Sequence, residues 1–320
     1  MKNKLSRDII NTLCYYDALN YPLTSFEIWK FLTKSIDRES ESFGNNDEKE
    51  KLFVELIDVI NGLDDDELKR TIESKQGFYF LRGREELVSH RIRKNKTSSL
   101  KIKKLRNVIK ILKFVPFVRM ILVTGKLSMK NATVKSDWDL LVVLEKGKIW
   151  TGRTLVTAVV HFLGKRRYGK KIKDRVCLNH FITTKSLEIC DKNLFSANEY
   201  MCAISIFDSK KYYEEFQLRN HWISQVKTNF YVNEMKHIRF VFDTELSKKA
   251  REIFEKFFDF DWLENFLRKI EKQKIENNPK TKMKGSFIDA TDKALIFLPS
   301  PQGPRIFEKY HKKLEKIRIN

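Results

Sequence analysis

Val123-Thr124-Gly125-Lys126-Leu127-Ser128-Met129-Lys130 closes one short apolar run, and five residues later Ser136-Asp137-Trp138-Asp139-Leu140-Leu141-Val142-Val143 opens another. Met120 to Thr124 has the length of a buried strand and stops at Gly125; Trp138 to Leu144 reads as a second strand. Thr151 to Leu163 follows as an apolar helix, and Val176 to Thr183 as a third strand, so residues 117–183 carry the pattern of an α/β unit. Side chains alternate along a strand, which sends Asp137 and Asp139 to one face and Trp138 and Leu140 to the other. Two hard oxygen ligands meeting at one point suit Mg²⁺ or Mn²⁺, with phosphate oxygens and water completing the shell. The same Asp-x-Asp pattern also occurs at plain surface strand ends, so its surroundings have to decide.

Those surroundings are specific. The strand, the Gly125 turn and the Ser136-Asp137-Trp138-Asp139 sequence resemble the DNA polymerase β-like nucleotidyltransferase superfamily, in which Gly125, Ser136, Asp137 and Asp139 match the motif position for position. The resemblance implies that Gly125, Lys126, Ser128 and Ser136 contact a nucleoside triphosphate and that Asp137 and Asp139 bind its metal. It also implies Mg²⁺-dependent transfer of a nucleoside monophosphate to a hydroxyl on RNA, protein or a small molecule. Three positions depart from the pattern: Lys126 and Lys130 replace small residues, and Asn179 stands where the third strand usually offers a catalytic carboxylate. An amide cannot take a proton at neutral pH. Asn179 could ligate metal through its carbonyl, and His180 could act as base, although strict alternation puts His180 on the opposite face. Asp174 and Glu188 are substitute carboxylates lying off the expected place. The rival implication is a catalytically degenerate nucleotide- or nucleic-acid-binding protein.

Outward from this core, residues 1–83 read as three helices and a hairpin, an order resembling a winged-helix domain. Thr24 and Glu27 form a capping box before Ile28, and a third helix is expected from Glu48 to Ile60 with Gly62 as its stop. That helix is acidic, with Asp64, Asp65 and Asp66 behind it, which favours a docking module over DNA binding. Residues 35–49, polar throughout, are expected to be a mobile loop. Residues 84–115 form a basic helical connector, 116–190 the nucleotidyltransferase-like core, and 191–320 a helical region. The expected class is α+β, with a mixed sheet between these helical parts. The stripe Phe254, Phe257, Phe258, Leu263, Phe266, Leu267 and Ile270 reads as core, as does His161 within its apolar helix. Cys177 and Cys202 read as small buried hydrophobes, and Trp138 as packing beneath the sheet.

The chain has 63 Lys+Arg against 42 Asp+Glu, a formal +21 that draws polyanions. Ten of these cations lie between Arg91 and Lys113 with no acidic residue among them. A second basic run spans Lys165 to Arg175. Lys101, Lys104, Arg166, Arg167, Lys170 and Lys171 are therefore the candidate contacts for RNA or another polyanion. Four scattered cysteines without a CxxC pair argue against structural zinc or a disulfide framework. No long apolar run suggests a membrane span, and the charged start lacks a signal core, so the expected location is the cytoplasm.

Overall fold

The computed structural model describes residues 4–35, 54–232 and 238–319. The N-terminal unit begins with α1 (Lys4–Ala18), which buries Ile9, Ile10, Leu13 and Cys14. The capping box before α2 (Ser25–Lys30) forms as expected: Thr24 Oγ1 accepts from Glu27 N at 3.2 Å, and Glu27 Oε2 accepts from Thr24 N at 3.0 Å. Residues 48–53 of the expected third helix, and all but Ser35 of the 35–49 loop, lie outside the described residues. The described helix α3 (Leu56–Leu63) runs through Gly62 instead of stopping there. A Cβ on Gly62 would stand 3.1 Å from Ile9 Cδ1, so glycine serves close packing against α1 rather than termination.

After α4 (Asp66–Lys69), strands β1 (Ile72–Lys75) and β2 (Phe78–Leu81) make a hairpin. Its two turn residues, Gln76 and Gly77, both have positive φ, as a type I′ turn requires. The basic connector is one continuous helix of 27 residues, α5 (Glu86–Leu112).

The remaining elements are β3 (Val118–Val123), α6 (Gly125–Ser128), β4 (Trp138–Leu144), α7 (Ile149–Phe162), β5 (Val176–Thr183), α8 (Leu194–Met201), β6 (Ile204–Asp208), α9 (Tyr212–Arg219), α10 (Glu245–Phe258), α11 (Asp261–Glu276), β7 (Phe287–Ala290), β8 (Ala294–Leu298) and α12 (Gly303–Ile319). Six strands form one mixed sheet in the order β6-β3-β4-β5-β8-β7. Only β4 and β5 are parallel, joined through α7; every other neighbouring pair is antiparallel. With its helices the chain is α+β. The region after residue 190 is not solely helical, because β6, β7 and β8 come from it. These strands are four or five residues long, too short for a periodic signal.

One sheet face buries Ile121, Val123, Leu140, Val142 and Phe181 against α5 and α7. The other buries Met120, Leu122, Leu141, Val143 and Ile182 in a cluster that continues into the N-terminal helices. Each fully buried aliphatic side chain here contributes roughly 1.5–3 kcal/mol. The N-terminal unit thus shares its core with the sheet, and Tyr15 of α1 meets Tyr310 of α12 at 5.8 Å between ring centroids.

Two expectations about burial fail. Phe254, Phe257 and Phe266 are exposed and Phe258, Leu263 and Ile270 only half-buried, while Leu267 packs on the sheet cluster and the buried positions of α10 and α11 hold Ser247, Arg251 and Glu264. His161 is exposed too, at the open end of α7. Trp138, by contrast, is fully buried beneath the sheet as expected.

Candidate functional site

The site forms where β3 ends, because Gly125 turns the chain with a φ of +63° immediately beside β4. A Cβ at Gly125 would lie 2.7 Å from Asp139 Oδ2, so glycine is required both for the left-handed backbone and for the close approach. Lys130, at the end of the same turn region, also takes a left-handed conformation, with φ +55°. Lys126 is exposed at the start of α6. Ser128 is buried, and its hydroxyl donates to Gly125 O at 2.9 Å, which closes the turn internally. Ser136 likewise shapes the local backbone: its Oγ accepts from Thr133 N at 3.0 Å.

The sheet register carries Asp137 and Asp139 to one place, with the partner from β5 being Cys177. A carboxylate oxygen of each aspartate and Cys177 Sγ all lie within 4.8 Å of one another. Asn179 does not take this place. The pairing steps from Asp139–Cys177 to Leu141–His180, so β5 contains one residue more than β4 over that interval. The extra residue reverses the alternation. His180 therefore falls on the same side as Leu141, where its Nδ1 stands 3.0 Å from the Tyr200 hydroxyl. Burial holds its imidazole down at about 4, so the ring is neutral near pH 7. Among the described residues His180 Nε2 has no hydrogen-bond partner.

A cation already sits on the acid pair. Arg167 Nη1 donates to Asp137 Oδ2 at 2.6 Å and to Cys177 Sγ at 3.2 Å. Desolvation first, and the charge of Asp137 second, raise the Asp139 carboxyl to about 6. Burial and then Asp139 push the Cys177 thiol up to about 12, so it is a neutral, half-buried group. A further carboxylate enters from α8. Glu199 accepts hydrogen bonds from the Gly125 N–H and the Thr124 hydroxyl, while burial and then the Asp139 charge raise it to about 7. Nothing local in sequence marks Glu199; only the fold brings α8 against the Gly125 turn.

The substitute carboxylates are committed elsewhere. Asp174 bonds Lys101 at 2.6 Å and Lys104 at 3.1 Å, and Glu188 pairs with Lys192. Lys101 is buried, and its ammonium also donates to Val134 O and Ser136 O, so it fixes the approach to Asp137 instead of meeting solvent phosphates. Lys104, Arg166, Arg167, Lys170 and Lys171 are exposed. Arg166 and Lys171 join His161, Tyr168 and Arg175 around a shallow cavity of about 210 Å³. Arg166, Lys171 and Arg175 have no acidic partner among the described residues, which leaves a positive concavity on the same loop that sends Arg167 to Asp137.

Compared with family models, with curated proteins and with solved structures, the chain matches none. No helix among the described residues is long and apolar enough to cross a membrane.

Proposed function

We propose that the chain is a Mg²⁺-dependent nucleotidyltransferase of the polymerase β-like type, moving a nucleoside monophosphate from a triphosphate to a hydroxyl acceptor. The observation that carries this reading is the Gly125 turn pressed onto Asp139 beside Asp137, a spacing that leaves no room for any side chain at Gly125. The donor set fits the metal: two carboxylates suffice for Mg²⁺ when phosphates and water complete its shell, and the Arg167 guanidinium is a stand-in cation on Asp137. Asp137 and Asp139 would hold the ion, which offsets charge on the triphosphate.

The chain's own residues supply the remaining roles. Lys126, exposed at the turn, would meet phosphate oxygens, and Arg167, which bonds Asp137, would exchange that partner for the departing pyrophosphate. The acceptor oxygen bonds to the α-phosphorus as the bond to the bridging oxygen breaks and pyrophosphate leaves. The hydroxyl proton passes to solvent, since β5 offers the protonated Cys177 in place of a carboxylate. The cations Arg166, Lys171 and Arg175, without an acidic partner among the described residues, favour a polyanionic acceptor such as RNA.

A specific observation favours a second reading. With Arg167 on the acid pair and no carboxylate on β5, the site also suits a protein that binds nucleotide or nucleic acid without turnover. The two separate on incubation with each α-³²P nucleoside triphosphate, Mg²⁺ or Mn²⁺, and total RNA, beside the Asp137→Ala/Asp139→Ala variant. Transfer by the wild type alone supports the transferase; nucleotide binding without transfer to RNA, protein or small molecules supports the binder.

A further inference from the structure

Helix α10 is built inside out, whereas α11 packs Leu267 and Ile275 against the sheet and leaves Trp262 and Phe266 exposed. Toward the protein α10 presents Ser247, Arg251 and Glu255: the Ser247 hydroxyl accepts from Thr244 N, Arg251 donates to Asp243 and the Lys113 carbonyl, and Glu255 accepts from Arg119. Away from it, Leu246, Ala250, Ile253 and Phe257 recur at spacings of four, three and four residues, and Phe260 follows just past the helix end. That is the spacing of the a and d positions of a helix-to-helix seam, and Ala250 at its centre lets another backbone come close. Leu246, Ile253, Phe257 and Phe260 are all exposed, Phe257 to 68%. Phe254 lies beside the seam, and the Phe260 ring stands 6.2 Å from Trp262, which continues the apolar surface to Phe266 on α11.

We infer that this face pairs with the same face of a second copy of the chain. Two arguments select that occupant. The exposed parts of these seven apolar side chains amount to roughly 700–800 Å², close to one partner's share of a stable interface, which is about 800 Å². Charge is the second argument. Residues 242–276 contain nine Asp or Glu and eight Lys or Arg, a net charge of −1 in a chain of +21. Over the ~8 Å reach of charge at physiological salt, two copies meet here without the repulsion that their basic surfaces impose elsewhere. The same neutrality, with Asp259 and Asp261 exposed among the rings, disfavours nucleic acid and anionic lipid. A two-fold axis satisfies the contact, because an isologous interface needs one self-complementary patch. The inference stands apart from the reading of the acid site.

Sedimentation of the full chain across roughly 1–100 µM tests it. A wild-type dimer whose dissociation constant rises at least ~100-fold in Ile253→Glu/Phe257→Glu is the expected result. Both changes are on exposed positions, and an unaltered circular dichroism spectrum shows that the variant is folded. Ala250→Trp, which blocks close approach without adding charge, weakens the dimer in the same direction. A wild type that stays monomeric throughout overturns the inference. So does a dimer that both variants leave intact, or a monomer that cosediments with phosphatidylcholine–phosphatidylglycerol vesicles through this face.

Discussion

β4 and α10 have equally regular apolar patterns and opposite outcomes. Along β4 the residues from Leu140 to Leu144 are fully buried and the carboxylates gather at the strand's start; along α10 the apolar residues face out and Arg251 lies inside. The difference comes from what each element meets. β4 is flanked by β3 and β5, whose backbone groups pair with it and leave only side-chain volume to fill. α10 meets the turn between α5 and β3, where open main-chain groups need partners: Arg251 donates to Lys113 O at 2.6 Å, and Glu255 accepts from Phe117 N at 2.8 Å. Periodicity shows that an element has two faces. The polar demands of its neighbour decide which face goes in.

The largest expected effect breaks the polar inside of α10. Arg251 and Asp243 are both nearly buried, so Arg251→Met leaves an uncompensated carboxylate, and urea unfolding should show a loss of roughly 3–5 kcal/mol. A loss below about 1 kcal/mol would mean that the inner face of α10 is not what holds it.

On the other side of the comparison, Gly125→Ala adds a methyl where Asp139 Oδ2 already lies, at a φ that disfavours it. The expected cost is about 2 kcal/mol of stability, with a matching loss of nucleotide affinity measured by calorimetry. An alanine variant of wild-type affinity would show that the turn does not hold the acid pair.

The smallest effect extends the lesson of buried polar groups to Lys227. It is fully buried beside Tyr15 and Tyr16, donating to Phe31 O at 3.2 Å and Thr33 Oγ1 at 2.8 Å, and burial lowers it from 10.5 to about 7. Between pH 7 and 10.5 the unfolded chain therefore holds the proton that the folded chain has released. Lys227 then makes stability rise with pH over that window, by at most about 1.4 kcal/mol per unit, and its contribution is lost as pH falls toward 7. Lys227→Met should flatten that slope relative to wild type in parallel denaturation curves; identical slopes would refute the assignment.

Much of this contrast was readable in the chain, but unevenly. The limits of β4 and β5, the capping box at Thr24 and the burial of Trp138 follow from local pattern and are found as read. The convergence of Asp137 and Asp139 was equally legible, because alternation alone demands it. That Cys177 stands opposite Asp139 is not legible in the same way, because a period of two cannot reveal the extra residue in β5 between Cys177 and His180. Glu199 was invisible for another reason: it joins the site only through the packing of α8, and no spacing in the sequence encodes that contact. The same limit hid β6, β7 and β8, which are recognisable only by the strands they pair with.

The most direct test of the acid pair is a Mn²⁺ titration followed by electron paramagnetic resonance, with a non-hydrolysable nucleoside triphosphate present, in wild type and in Asp137→Asn/Asp139→Asn. The account predicts nucleotide-dependent Mn²⁺ binding that the wild type shows and the variant loses by at least ~100-fold, while both retain the same fold by circular dichroism. Equal Mn²⁺ binding by the two proteins would contradict it, and would place any nucleotide metal away from Asp137 and Asp139.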